Sequence, residues 1–324
     1  MPLSPVDQFE ELPTIKGPKL ARFREGRYSK KIDYLELLSP GGSHGYVFKV
    51  RIDGELFALK IVGTIHLSLH LSSFPPFQRS RRAKPPTPND HAVTLLSLFR
   101  RRPRLTTVPQ FRFFDVEETL YGMGPAARSV VPRQDVEEQT DPFYAECRAY
   151  GRIASKPRKD PIAVACHGFI SIPARQESFF AKKFDITDWS RSEEDLALPP
   201  TKREPFRALV KDLVEGTAEP TKELIRSMRR HLKALNSLRI WVMDVRWDNY
   251  KGGRLVDFSL AWTEPHFEFL REVNTAKEMD MNKGIDLADF DRMVKGELKI
   301  EDESLLARPK AWQGTLRKRP HRGQ

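Results

Sequence analysis

Two cysteines, Cys147 and Cys166, are all that the 324 residues contain, too few for a disulfide framework or a cysteine-rich zinc site. Such scarcity points to a reducing compartment, the cytosol or the nucleus. No apolar stretch approaches the ~20 residues that a membrane-crossing helix needs, which excludes a helical membrane protein. The opening Met1-Pro2-Leu3-Ser4-Pro5-Val6-Asp7 has neither the basic start nor the apolar run of a secretory signal. Acidic residues are scarce in two stretches. Residues 62–110 hold eight Lys or Arg and one acid, Asp90, a net of +7. Residues 307–324 hold six Lys or Arg and no acid, a net of +6. The formal charge of +11 therefore leaves −2 for the other 257 residues. The basic character sits in two atypical segments, so a basic groove is not implied and direct nucleic-acid binding is not expected.

What is present suffices for a core: 39% of the residues are hydrophobic, enough for one large domain or two small ones. Residues 1–30, punctuated by Pro, Lys and Arg, read as an extended arm. Ile32–Leu38, Tyr46–Ile52 and Glu55–Val62 are rich in Val, Ile, Tyr, Phe and Leu and read as strands. Asp53-Gly54 accepts the positive φ values of a two-residue hairpin turn, so the expectation is a three-stranded antiparallel meander. Residues 62–110 break the pattern with seven prolines, ten Ser or Thr and the run Arg100-Arg101-Arg102. They read as a low-complexity insertion or as a translated intervening sequence, the second being preferred: excision would join Leu59-Lys60-Ile61 to Phe111-Arg112-Phe113-Phe114 as one continuous strand. A polar loop then leads to a helix over Pro142–Ala154, opened by Asp141-Pro142. Ile162–Ile172 and Phe206–Val214 are strand-like, with a charged, Pro-rich surface excursion at 173–205 between them. From Thr221 to about Leu238, Leu224, Ile225, Met228, Leu232, Leu235 and Leu238 recur at helical spacing.

Three sets of residues could carry chemistry. Pro40-Gly41-Gly42-Ser43-His44-Gly45-Tyr46-Val47 is a glycine-rich turn between strands, where bare backbone can approach a polyphosphate; alone, it is a weak signal and a hairpin turn is the commoner explanation. Lys60, flanked by apolar residues on the third strand, needs an anion or a route to water for its ammonium, and Glu146 on the next helix could orient it. Asp244 and Asn249 lie five apart in a loop after a helix, and Asp257 follows a short hairpin turned at Gly252-Gly253. Such a set suits phosphoryl transfer, with one carboxylate taking the nucleophile's proton while an amide oxygen and a second carboxylate hold magnesium. Each residue alone could instead be satisfying loop amides.

This layout resembles the protein-kinase-like fold, an α+β fold, and more closely the fungal Sim4 kinetochore-complex subunit family of Fta-two type. The resemblance rests on Gly41–Val50, Phe57–Lys60, Phe143–Arg152, Thr187-Asp188-Trp189, and Asn249–Ser259 continuing through Ala261-Trp262-Thr263-Glu264-Pro265-His266. It implies an antiparallel N-lobe sheet with one helix (31–61 and 111–214) and a shortened helical C-lobe (215–306), followed by a basic tail (307–324). It implies that Gly42 and Gly45 belong to the phosphate loop, that Lys60 holds the α/β-phosphates and that Glu146 is its partner. Asp244 matches the catalytic base, and Asn249 and Asp257 the magnesium ligands. Asp212 and Val214 flank the hinge that would meet adenine. ATP and magnesium are the implied cofactors and kinetochore subunits the implied partners.

The departures from the kinase pattern bear on function. Pro40 stands in the first glycine's place, Val242-Met243 replace a His-Arg pair, and Ser259 replaces the glycine after Phe258. Asn249 and Asp257 are only eight apart, and 67 residues follow Asp257 without an Ala-Pro-Glu signature. The expectation is therefore a kinase-like nucleotide-binding protein, with magnesium-dependent phosphotransfer to a small acceptor chemically open. The alternative is a non-catalytic scaffold of the kinetochore. The resemblance implies a nuclear, centromeric location; the residues alone would equally suit the cytoplasm. Trp262, Pro265 and His266 could simply pack the chain after the hairpin, and Arg317-Lys318-Arg319 most simply belongs to a solvated tail.

Overall fold

The computed structural model describes Leu12 and residues 16–23, 32–42, 45–62, 116–189, 191–216 and 218–306. Strands β1 (Ile32–Gly42), β2 (Gly45–Ile52) and β3 (Glu55–Val62) form the expected meander. Asp53 and Gly54 take φ values of 51° and 86°, the pair of positive angles that joins two strands without splaying them. Two later strands, β4 (Cys166–Ile172) and β5 (Phe206–Asp212), complete a five-stranded antiparallel sheet in the order β1-β2-β3-β5-β4. The meander is thus three-fifths of a larger sheet, and β5 lies against β3 with Lys60 opposite Leu209.

Side-chain alternation along a strand gives that sheet two faces. Leu59, Ile61, Ala208 and Val210 face a core shared with Phe180, Trp189 and Phe206. Leu209 joins the second core, with Phe143, Cys147 and Tyr150 of a helix and with Ile225, Met228 and Leu232 of the helical half. Lys60, opposite Leu209, and Lys211, two residues beyond it, point to this same side. Both lysines are therefore carried into the interface between the sheet and the helices.

Helix α4 (Pro142–Ala154) has the expected bounds. Asp141 caps it by accepting from the amides of Phe143 at 2.7 Å and Tyr144 at 3.3 Å, and Pro142 occupies the first turn, where a missing N–H costs nothing. The polar loop expected before it is instead three short helices, α1 (Val116–Gly122), α2 (Pro125–Val130) and α3 (Arg133–Thr140), around Val116, Ala127, Val131 and Val136. Their apolar residues are too few per turn to stand out from a polar background. The supposed surface excursion at 173–205 contains α5 (Glu177–Phe184) and α6 (Glu193–Leu196), and buries Phe180 and Trp189 in the sheet's outer core. The strands expected over Ile162–Ile172 and Phe206–Val214 are shorter, beginning at Cys166 and ending at Asp212. The arm is partly docked: Leu20 and Phe23 are buried, and Phe23 donates its amide to the Phe169 carbonyl at 3.0 Å. The expected resumption of a strand at Phe111 lies outside the described residues.

Beyond the sheet, α7 (Lys222–Ser237) is capped by Thr221, and α8 (Ala276–Arg292) by a reciprocal Thr275–Glu278 pair. Between them come β6 (Ile240–Trp241), β7 (Tyr250–Lys251), β8 (Arg254–Leu255) and β9 (Trp262–Thr263), pairing as β6-β9 and β7-β8.

Candidate functional site

Lys60 projects from β3 with its Nζ 2.5 Å from Glu146 Oε1 and 2.9 Å from Asp257 Oδ1. Strand, helix and hairpin segment thus converge on one ammonium. Glu146 is fully buried on α4, and its second oxygen accepts from Lys211. Lys211 also donates to the Val256 carbonyl at 2.7 Å. Burial would lower the pKa of Lys211, but the charges of Glu146 and Asp257 outweigh it and hold the value above that of an ordinary lysine. Two ammonium groups and two carboxylates leave the cluster neutral, the condition under which such charges survive in an interior.

The helical half brings the remaining candidates to the same place. Asn249 donates to the Asp244 carbonyl at 2.9 Å and to its Oδ2 at 3.0 Å, while Arg246 Nε lies 3.2 Å from that Oδ2. Burial raises the pKa of Asp244 and the negative charge of Asp257 adds to the rise, with Arg246 and Asn249 opposing. The two carboxylates therefore feel one another. Gly252 and Gly253, at φ 54° and 73°, close the β7–β8 hairpin. Tyr250 consequently faces Leu255, and the Val256 amide donates to the Asn249 carbonyl at 2.9 Å. Asn249 and Asp257, eight positions apart, thus flank the same tight hairpin. The Ser259 amide donates to Asp257 Oδ1 at 2.8 Å, orienting the carboxylate from its own loop.

The glycines at the tip of β1 and β2 sit in register, Gly42 opposite Gly45. Gly45 has φ 145°, and a Cβ there would fall 2.0 Å from the Ile61 carbonyl oxygen. Close approach of β3 alone demands glycine at this position. Asp212 ends β5; its amide donates to the Ala165 carbonyl at 3.0 Å and its carboxylate lies 2.6 Å from His167 Nε2. Its side chain thus faces a surface groove of about 470 Å³ lined by Phe23, Glu55, Leu56, Phe57 and His167, away from Lys60 and Asp257. Val214 lies beside the hairpin, in contact range of Gly252.

Two residues escape the sequence reading. Lys211 had a legible signal, a lysine set between apolar strand residues, the same discomfort that marks Lys60. Asp286 on α8 shares the buried stripe of Phe290, Met293 and Val294. It accepts from the amides of Val242 at 2.8 Å and Met243 at 2.9 Å and from Asn236 at 2.6 Å, anchoring the strand that leads to Asp244. Its mark was an acid in an apolar register. Trp262, Pro265 and His266 are structural here. The rings of Trp262 and His266 stack at 5.3 Å, and Arg148 donates to the Thr263 carbonyl at 3.0 Å and to that of Pro265. Burial, reinforced by the charge of Arg148, lowers the pKa of His266 to about 3.

The class is therefore a mixed α+β protein in which a five-stranded antiparallel sheet and the helices after it enclose a cluster of paired lysines and acids. The chain belongs to the family described as kinetochore Sim4 complex subunit FTA2, which matches residues 8–97 and 106–262, most of its length. No curated protein matches it. Membership places the protein at the kinetochore, in the nucleus, among kinetochore partners. Among the described residues no helix is long and apolar enough to cross a membrane.

Proposed function

We propose that this kinetochore subunit carries a protein-kinase-like nucleotide site, with Lys60, Glu146, Asp244, Asn249 and Asp257 as its working residues. The observation that carries the reading is the bridge made by Lys60 between Glu146 and Asp257. A sheet lysine held by a helix glutamate and facing a carboxylate of the helical half is a charge arrangement suited to a polyphosphate and its metal.

The donor set fits magnesium. Asn249 spends its NH2 on Asp244, so its oxygen is the end left for a cation, and Asp257 supplies a carboxylate that is partly exposed. Among the described residues no three His, Cys, Asp or Glu side chains form a metal cluster, so phosphate oxygens would complete the coordination, as magnesium commonly requires. When bound, magnesium neutralises phosphate charge. Lys60 would hold phosphate oxygens with Glu146 fixing its direction. Gly42 and Gly45 would bring bare backbone to the phosphates at the end of the β1–β2 hairpin, and Val214 and the end of β5 at Asp212 would border the base. Asp244, its pKa raised, would accept the proton of an attacking hydroxyl.

Thermal shift with ATP and magnesium on wild type and Lys60→Ala tests the binding reading. Stabilisation of wild type alone is expected, and no shift in a folded wild type ends the nucleotide proposal. A second reading, a scaffold that binds nucleotide without turning it over, draws on family membership and on the tie of Asp244 to Asn249 and Arg246. Asp244→Asn separates the two readings. If the site is catalytic, nucleotide binding persists while ADP formation falls about a hundredfold or more. If wild type binds magnesium-ATP and forms no ADP, the scaffold reading is favoured.

A further inference from the structure

We propose that Lys211 is a positioning residue that shares Glu146 with Lys60 and so sets the placement of Lys60 against Asp257 before any ligand arrives. The inference rests on the nucleotide reading only where it concerns affinity. Glu146 has two carboxylate oxygens, and each takes a different lysine, Oε1 meeting Lys60 and Oε2 meeting Lys211. The sheet fixes how far apart those lysines stand, because Leu209 is the cross-strand partner of Lys60 and Lys211 lies two residues along the same strand. Glu146 cannot turn toward one lysine without leaving the other, and it is fully buried.

Lys211 then reaches past Glu146. Its second contact is the Val256 carbonyl, immediately before Asp257, at 2.7 Å. Tyr150 donates to that carbonyl at 3.3 Å, and its ring lies 5.0 Å from the Lys211 ammonium. The Val256 amide meanwhile holds the Asn249 carbonyl. One buried ammonium therefore links the helix that orients Lys60 to the segment presenting Asp257 and Asn249. It is 4% exposed, so it acts on a ligand only through these neighbours. Its removal would leave two carboxylates to one ammonium, a net negative charge that draws Lys60 onto Glu146 and repels phosphate.

The test uses the full chain with magnesium-ADP as calorimetric probe. Lys211→Met is expected to lower the melting temperature and to weaken magnesium-ADP about tenfold, the scale seen when a supporting partner of a ligand-holding group is lost. Adding Glu146→Gln removes the surplus charge; it should restore most of the melting temperature while affinity stays weak. Recovery of both together, or wild-type affinity in Lys211→Met, would overturn the proposal. A second arm needs no nucleotide. Lys211→Met and Lys60→Met together strip Glu146 of both partners, so their combined loss of melting temperature should exceed the sum of the singles; failure to fold when both singles fold is the extreme of that result. Additive losses would overturn the proposal. Coupling in a wild type that binds no magnesium-ADP would support the shared carboxylate and end the nucleotide reading.

Discussion

At the scale of single residues, the buried acids do two different jobs. Glu146 is paired twice over, whereas Asp286 is held by amide donors, and burial raises its pKa to about 6 against an ordinary 3.8, with the three donors opposing the rise. The folded state thus keeps a proton that the unfolded chain has already released between those two values. The stability this brings is present below about pH 4 and lost as pH rises through about 6, a difference of about 3 kcal/mol. Asp286→Asn cannot accept from all three donors and should destabilise the protein by about 1–3 kcal/mol for each buried donor left unpaired. Urea denaturation at pH 4 and pH 7 should show a larger gap between wild type and Asp286→Asn at the lower pH. His266, lowered to about 3, pulls the other way below its ordinary 6.5, but it is common to both proteins and cancels. A gap independent of pH would remove Asp286 from this account.

At the scale of elements, α4 is the part held from most sides. Glu146 ties its inner face to two lysines, while Arg148 reaches the Lys16 carbonyl at 2.9 Å and Arg152 the Glu264 carbonyl at 2.6 Å. The arm crosses it so closely that a Cβ on Gly151 would lie 2.4 Å from the Lys19 carbonyl carbon. Gly151→Ala should gain about 1 kcal/mol of helix propensity and still lower stability, because the arm must move. Trypsin should then cut at Lys16, Lys19 and Arg22 sooner than in wild type; unchanged cleavage would mean the contact is not holding the arm. The start of the helix depends equally on Asp141, which caps two amides and pairs with Arg207 at 2.9 Å. Asp141→Ala should cost about 2 kcal/mol or more in chemical denaturation. That cap was legible in advance because it is local chemistry. Helices α1–α3 were not, since their short apolar stripe has meaning only against Phe267 far along the chain.

At the scale of the whole molecule, the five-stranded sheet and the helices after it are joined by the acid–lysine cluster and by the core that Leu209 shares with Met228 and Leu232. Residues 62–110 interrupt this plan in composition, with a net charge of +7. We propose that they are a translated intervening sequence; the family match nonetheless runs to residue 97 and resumes at 106, which makes transcripts across Ile61 and Phe111 informative either way. A short transcript joining those codons is expected. Recovery of the long form alone would assign the segment to the mature chain.

The sequence by itself determined the local elements: the meander with its Asp53-Gly54 turn, the cap at Asp141, the periodic helix from Thr221 to about Leu238, and the candidates Lys60, Glu146, Asp244, Asn249 and Asp257. Each rests on neighbours a few positions away, where spacing and residue type suffice. Tertiary structure alone decided that β5 lies between β3 and β4, that Lys211 shares Glu146 with Lys60, that Asp286 anchors the approach to Asp244, and that the Asp212 side chain turns outward to His167. These depend on charges and amides brought together from distant parts of the chain, where burial makes an unpaired group costly and so selects the partner.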